Sequence, residues 1–303
     1  MNTLVRKVFP LAAMIATGLL AMVASTPAGQ TDKPPELRKV AVGDGVELHY
    51  VERGKGVAVV FVHGTLGDYS SWDGQLGAFA ETYRVIAYSR RYNYPNTNKL
   101  RPKHSAVVEA EDLAAFIKKL DLGKVHVVGH SYGAYTALFL AVNHPDLVRT
   151  LTLAEPPLVF AGERVEEAKA QLVKRARAAF EKGEPDDAIR TIVNSSREGT
   201  YDKIPEPFRN RLRQNASELE ALVTSDNMYP GLDRAAVRKI AVPALLLSGE
   251  KSPPSHKLID EELERLLPQK RRQRVIIRDA DHGMWFQQAE ACRKAVLAFL
   301  RGK

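Results

Sequence analysis

From residue 39 onward the chain alternates short apolar runs with longer stretches whose apolar residues recur every three or four positions. Residues 39–42 and 46–52 flank Gly43-Asp44-Gly45 and predict a β-hairpin, because Asp-Gly accepts the positive φ of a tight turn. Residues 57–62 form a continuous apolar run, the pattern of a strand covered on both faces. Short runs at 84–88, 125–128, 150–154, 242–247 and 274–277 predict further buried strands. Between them, 105–120 carries Val108, Leu113, Phe116, Ile117 and Leu120 at helical spacing, and 132–143, 255–267 and 285–300 also read as helices. This alternation predicts an α/β fold, a mostly parallel sheet with helices on both faces.

The alternation breaks once. Residues 155–239 lack strand patterns and hold charged, helix-compatible stretches at about 163–182, 186–195 and 206–224. A helical block inserted between two strands of such a sheet is expected over their carboxyl ends, where ligands bind. Residues 155–239 are therefore read as a helical cap or lid, and 36–154 with 240–303 as the core.

Composition changes this picture little. With 303 residues, 45% hydrophobic and 26% charged, one large α/β domain with an insertion is favoured over two equal domains. The net charge of +8 is spread among acidic residues without a basic stripe carrying aromatics, so no nucleic-acid partner is expected. The leading segment stands apart. Arg6 and Lys7 precede an apolar run over 8–23 and the small residues Ala24-Ser25-Thr26-Pro27-Ala28. That order predicts a signal peptide at 1–28 and export to the periplasm or beyond, with no stable membrane association after cleavage. An uncleaved membrane anchor is the alternative, since the run approaches the length of a short span. Cys292 is the only cysteine, which excludes an intramolecular disulfide and leaves it as a small apolar residue of the last helix.

The chemistry concentrates at Gly129-His130-Ser131-Tyr132-Gly133, a Gly-x-Ser-x-Gly sequence between a predicted strand and a predicted helix. A serine on such a turn stands clear of the sheet at a helix amino end, as a nucleophile must. His63-Gly64-Thr65 follows the strand at 57–62, so the Thr65 and Tyr132 N–H groups are the candidate oxyanion donors, with His63 itself structural. His282, in the loop after the last strand, is the candidate base. No Asp, Glu or Cys cluster has metal-ligand spacing and no phosphate-binding glycine loop occurs, so neither metal nor cofactor is expected.

On His63-Gly64 through Trp72, Gly129 to Gly133, Pro243 to Gly249 and Asp281-His282-Gly283, the chain resembles the α/β-hydrolase superfamily, specifically serine hydrolases with a helical cap. The resemblance runs from about residue 37 to 300 and implies a Ser-His-acid triad. Many relatives carry the acid as aspartate in a Gly-x-x-Asp turn after the penultimate strand. Here that turn reads Gly249-Glu250-Lys251-Ser252, with serine in the aspartate's place. Glu155, at the end of the strand beside the nucleophile's own and ahead of Pro156-Pro157, is the leading candidate. Glu250 is the alternative, and Asp281 at most positions the histidine loop. Leu66, Tyr69, Trp72 and Tyr132 are expected to wall the acyl pocket, with anchoring of its own helix as Trp72's other role. Met284 and Trp285 are expected on the leaving-group side, while Arg90 or Arg91 braces a loop or meets a substrate carboxylate.

These residues imply hydrolysis of a small-molecule or lipid-like carboxylic ester, or a related acyl bond, through an acyl-enzyme. Lactones, carbon–carbon bonds and cofactor-free peroxidation are the other chemistries the resemblance allows. A low-turnover ligand-binding protein is the non-enzymatic rival. A serine at the elbow argues against epoxide and haloalkane chemistry, for which related proteins use an aspartate nucleophile.

Overall fold

The computed structural model describes residues 34–162, 167–195 and 198–303. The expected signal at 1–28 lies outside the described residues. Eight strands form one sheet: β1 (Arg38–Gly43), β2 (Val46–Arg53), β3 (Ala58–Val62), β4 (Arg84–Tyr88), β5 (Val125–His130), β6 (Val148–Ala154), β7 (Ala244–Gly249) and β8 (Arg272–Ile277). Their order is β1-β2-β4-β3-β5-β6-β7-β8. The β1–β2 and β2–β4 pairings are antiparallel and the remaining ones parallel, so the hairpin predicted at the start becomes one edge of a parallel sheet.

The central strand β3 is buried at every position, and its side chains divide by the two-residue period of a strand. Val60 and Val62 join the apolar cluster on one face. Val59 and Phe61 join the cluster on the other. The first cluster takes the inward faces of α2 (Ala106–Lys119), α3 (Tyr132–Asn143) and α10 (Pro254–Leu266). The second takes α1 (Asp73–Ala80) and α12 (Ala289–Leu300). Helices on both faces are what a parallel sheet requires, because neither face can be left to water. Among the described residues no helix is long and apolar enough to cross a membrane.

Between β6 and β7 lie α4 (Glu167–Glu181), α5 (Pro185–Val193), α6 (Thr200–Lys203), α7 (Glu206–Gln214), α8 (Ala216–Thr224) and α9 (Arg234–Arg238). Ala176, Ile189, Leu219 and Leu222 from this block extend the first cluster, so the insertion has an apolar seam continuous with the core. The helix expected over 206–224 is broken at Asn215. That side chain is buried, accepts from the Tyr94 N–H at 2.8 Å and donates to Asp68 at 3.0 Å. The helix expected over 285–300 is likewise divided, into α11 (Met284–Gln287) and α12.

One buried acid on α10 sets a pH dependence. Ser248 on β7 donates to the Asp260 carboxyl, which is buried. Burial pushes Asp260 up to about 7, the Ser248 hydrogen bond opposes this, and the nearby Glu155 charge adds to it. The folded protein therefore holds this proton where the unfolded chain has lost it. Stability should decline as pH rises from the unfolded value of 3.8 through about 7. Asp260→Asn should keep the Ser248 hydrogen bond and gain about 2 to 4 kcal/mol over the parent at pH 8.5. Urea denaturation at pH 5 and 8.5 checks this, and an equal effect at both pH values contradicts it.

Candidate active site

The turn from β5 into α3 is built around Ser131, whose φ of 53° and ψ of −126° are unusual for a side-chain-bearing residue. Such geometry costs about 1–3 kcal/mol and persists only when its surroundings enforce it. Here Ser131 N–H donates to Ala154 O at 2.8 Å, and Ser131 O accepts from Ala134 and Tyr135 N–H. A Cβ on Gly133 would lie 2.2 Å from Val62 O, so only glycine lets the helix sit this close to β3. The elbow thus follows from the spacing of small residues around the serine.

Three side chains meet there. Ser131 Oγ lies 2.9 Å from His282 Nε2, and His282 Nδ1 lies 2.9 Å from Glu155 Oε2. Glu155 follows β6 with a positive φ of 48° and is buried. Its Oε1 accepts from Gly249 N–H at 2.8 Å. Burial alone would raise the Glu155 pKa, but the hydrogen bond and charge of His282, with the nearby Ser252 hydroxyl and the Gly249 N–H, outweigh it and hold the carboxyl below its usual range. Ser252, buried where many relatives carry aspartate, faces this carboxylate without a hydrogen bond of ordinary geometry. Glu250 is not brought to His282: its Oε2 accepts from Asp279 N–H at 2.9 Å in an exposed turn. Asp281 Oδ1 accepts from Gly283 N–H and Gln287 Nε2, both at 2.8 Å, and so shapes the loop on either side of His282.

The histidine loop is also fixed from behind. His130 Nε2 lies 2.8 Å from the His282 carbonyl and must carry the proton there, since a carbonyl can only accept. Burial, reinforced by His282, lowers the His130 pKa to about 3, so its ring stays neutral. His256, from the first turn of α10, packs with its ring centroid 4.5 Å from that of His282. Burial and His282 lower it to about 4.

Thr65 and Tyr132 present the candidate oxyanion amides, and neither N–H donates within the described residues. The loop carrying Thr65 is held by a buried ion network. Arg90 Nη2 donates to Gly64 O at 3.2 Å and to Glu218 Oε1 at 2.7 Å, while Glu218 Oε2 accepts from Leu66 N–H at 3.0 Å. Arg90 Nη1 donates to Glu109, which also accepts from Thr136 on α3 at 3.0 Å. The Arg90 N–H donates to His63 Nε2 at 3.0 Å, and burial together with Arg90 lowers His63 to about 3, as suits a neutral structural histidine. Arg91 is paired to Asp112 at 2.6 Å. Both arginines are thus bound to carboxylates of the protein, which removes the substrate-carboxylate role considered for them.

Glu218 lies on α8 in the inserted block, so the insertion reaches the loop that carries Thr65. Glu218→Ala should cost about 2–4 kcal/mol, because it leaves the Leu66 N–H without its buried acceptor and Arg90 with Glu109 as its remaining carboxylate partner. It should also lower kcat more than it raises KM, with Glu218→Gln restoring much of kcat by keeping the Leu66 bond. Denaturation and steady-state kinetics on both variants check this; equal kcat losses in the two contradict a positioning role.

Leu66 and Tyr132 lie in the apolar cluster shared with the insertion, and the Tyr132 hydroxyl donates to Met228 O at 2.8 Å. The expectation for Trp72, Met284 and Trp285 needs correction. Trp72 packs between Phe61 and Trp285 with ring centroids at 4.7 and 5.0 Å, and Met284 belongs to the same buried cluster on the far face. These large apolar groups fill the space under α1 and α12. Tyr69 is half-buried at the edge of that cluster. Glu155, His256 and His282 also bring one donor atom each to within 4.8 Å of one another. They lie too far apart in sequence for any spacing motif to reveal them.

Comparison with known proteins agrees with this architecture. Residues 57–288 match the family model of the alpha/beta hydrolase fold. The chain is 25% identical over 290 residues to bifunctional epoxide hydrolase 2 of Sus scrofa, spanning 82% of this chain and 52% of that protein. The chain therefore spans about half the length of that relative. It is 26% identical over 275 residues to the 2-(acetamidomethylene)succinate hydrolase of Mesorhizobium japonicum, covering 87% and 94% of the two chains. Among solved structures, a thermophilic esterase from Thermogutta terrifontis superposes with a TM-score of 0.73 at 24% identity, over 88% of this chain and 98% of that one. The enol-lactonase of Burkholderia xenovorans gives 0.69 at 21%, over 86% and 98%.

Proposed function

The chain belongs to the α/β-hydrolase fold family, and on that footing we propose that it is a serine hydrolase of carboxylic esters or closely related acyl bonds. The observation that carries this reading is the continuous chain Ser131 Oγ–His282–Glu155, with 2.9 Å at each link. In this reading Ser131 attacks the substrate carbonyl while His282 Nε2 takes its proton. Glu155, ionised and buried, stabilises the imidazolium and fixes the tautomer with the proton on Nδ1. The Thr65 and Tyr132 N–H groups receive the developing oxyanion at the amino end of α3. His282 returns its proton to the leaving alcohol, and water then repeats the sequence on the acyl-enzyme.

Epoxide opening, the chemistry in the pig relative's name, fits this site poorly. A serine oxygen attacking an epoxide carbon would form an ether, which offers water no carbonyl and the oxyanion donors no charge. A carboxylate nucleophile would leave a hydrolysable ester instead. The fold shared with the enol-lactonase keeps a cyclic ester within the same proposed chemistry, since a lactone passes through the same acyl-enzyme.

Steady-state hydrolysis of p-nitrophenyl esters from acetyl to palmitoyl, with a small lactone panel alongside, tests the proposal. Multiple turnovers on at least one ester or lactone support it, and the chain-length optimum sizes the acyl site. Binding without turnover across both panels would favour the ligand-binding rival.

A further inference from the structure

The site described above uses Glu155 and His282; His256, whose ring centroid lies 4.5 Å from that of His282, has no part in the proposed hydrolysis. We propose that Glu155, His256 and His282 form a binding site for a transition-metal dication of the zinc type, and that its occupation switches the hydrolase off reversibly. The binding rests on the geometry alone, whereas the inhibition rests on the serine-hydrolase reading.

Three observations carry it. Two imidazoles and one carboxylate are the donor set that suits zinc, and here they come from three separate elements: the end of β6, the first turn of α10 and the loop after β8. One donor atom from each lies within 4.8 Å of the others. Donors around a tetrahedral zinc at about 2.0–2.1 Å stand roughly 3.4 Å apart, so an approach of up to about 1.4 Å by His256 closes the set. Second, His256 Nδ1 is buried and has no hydrogen-bond partner among the described residues. A polar atom in that state is costly unless something comes to meet it. Third, His282 is partly open to solvent, its side chain being 26% exposed, so an ion has a route to the cluster.

The consequence for catalysis follows from proton bookkeeping. In the hydrolase, His282 carries its proton on Nδ1, toward Glu155, and leaves Nε2 free to accept from Ser131. An ion that takes Nδ1 releases that proton to solvent and replaces the Glu155–His282 hydrogen bond with two metal bonds. The neutral imidazole then holds its only proton on Nε2, facing Ser131 Oγ at 2.9 Å. The ring can no longer take the serine's proton, although Ser131 and His282 remain in contact.

The test uses the full chain, ZnCl2 as the probe and two readouts. Ester turnover is measured against zinc concentration, each protein relative to its own zinc-free rate, and zinc binding by Ser131→Ala protein is measured by calorimetry. Inhibition that EDTA reverses is expected, together with one site per chain. His256→Asn should raise the half-inhibiting concentration about 30-fold or more and weaken calorimetric binding in parallel, as loss of one of three protein ligands requires. Cys292→Ser should leave both values unchanged. Equal zinc sensitivity in parent and His256→Asn, or no binding by calorimetry, overturns the site. Zinc binding that depends on His256 in a protein that turns over no ester supports the site and counts only against the hydrolase reading.

Discussion

Alanine in place of Ser131 is expected to lower kcat/KM for an activated ester by a factor of about 10^4 to 10^6, the range seen when a serine nucleophile is deleted. The size of the loss follows from the position of the hydroxyl. Ser131 Oγ is the atom within 2.9 Å of His282 Nε2, and it stands at the amino end of α3, beside the Tyr132 N–H. Without it, no acyl-enzyme forms, and only solvent water remains to attack a bound ester. The variant should still fold, since the elbow is fixed by backbone bonds to Ala154, Ala134 and Tyr135 that alanine retains. Kinetics paired with thermal unfolding separates the two effects. Residual turnover above about 1% in well-folded variant would assign the chemistry to another group.

Glu155→Gln should be the next largest effect, a loss of about 10^2 to 10^4 in kcat with much smaller change in KM. The amide oxygen can still accept from Gly249 N–H, so the strand end need not move. The amide nitrogen, however, is a donor where His282 Nδ1 needs an acceptor. Donation to Nδ1 would force the ring proton onto Nε2 and leave Ser131 without a base. The charge matters separately. Because the folded carboxyl lies below its unfolded value of 4.5, its ionised form stabilises the folded protein above that pH, and this contribution fades as pH falls through the folded value. The stability gap between parent and variant should therefore be largest near neutrality and close in acid. Glu250→Gln, an exposed change in a turn, should leave kcat within about twofold. A collapse in that variant with near-normal Glu155→Gln would reverse the assignment.

The sheet and the elbow were legible in the sequence because local chemistry dictates them. A β-branched run such as 57–62 admits one environment, and Gly129 and Gly133 around Ser131 admit one kind of turn. Glu155 could be proposed for a similar reason, since its strand end and the prolines after it localise the carboxylate. The residues that escaped notice act across long chain separations. Glu218 lies 152 positions from Leu66 and, in the run Ala216-Ser217-Glu218-Leu219-Glu220, resembles Glu220 in every local respect. Only packing of α8 makes one of them buried and the other partly exposed. His256 and His130 are similar cases: one sits in a helix start and the other in the variable position of the elbow, and their roles appear only once packing brings each ring against His282. Trp72 and Trp285 looked like pocket walls because both neighbour site residues in sequence. Their rings turn to the opposite face, where they pack around Phe61.

The two faces of the sheet therefore divide the work. One carries Trp72, Trp285 and the terminal helix as a packed support. The other carries Leu66, Tyr132 and the inserted helices, with Arg90 linking that insertion to the loop after β3. Loss of this link should be felt as misplacement of the oxyanion donors, and the loss of Ser131 or Glu155 as loss of the chemistry itself.

The proposed chemistry turns first on the identity of the nucleophile. Acid-quenched mixing of the enzyme with a slowly deacylated p-nitrophenyl ester, followed by peptide mass analysis, reads it out. One acyl group per chain on Ser131, absent from the Ser131→Ala protein, is the expected result. Steady ester turnover without an adduct on Ser131, or with the acyl group on a carboxylate such as Glu155, would contradict it.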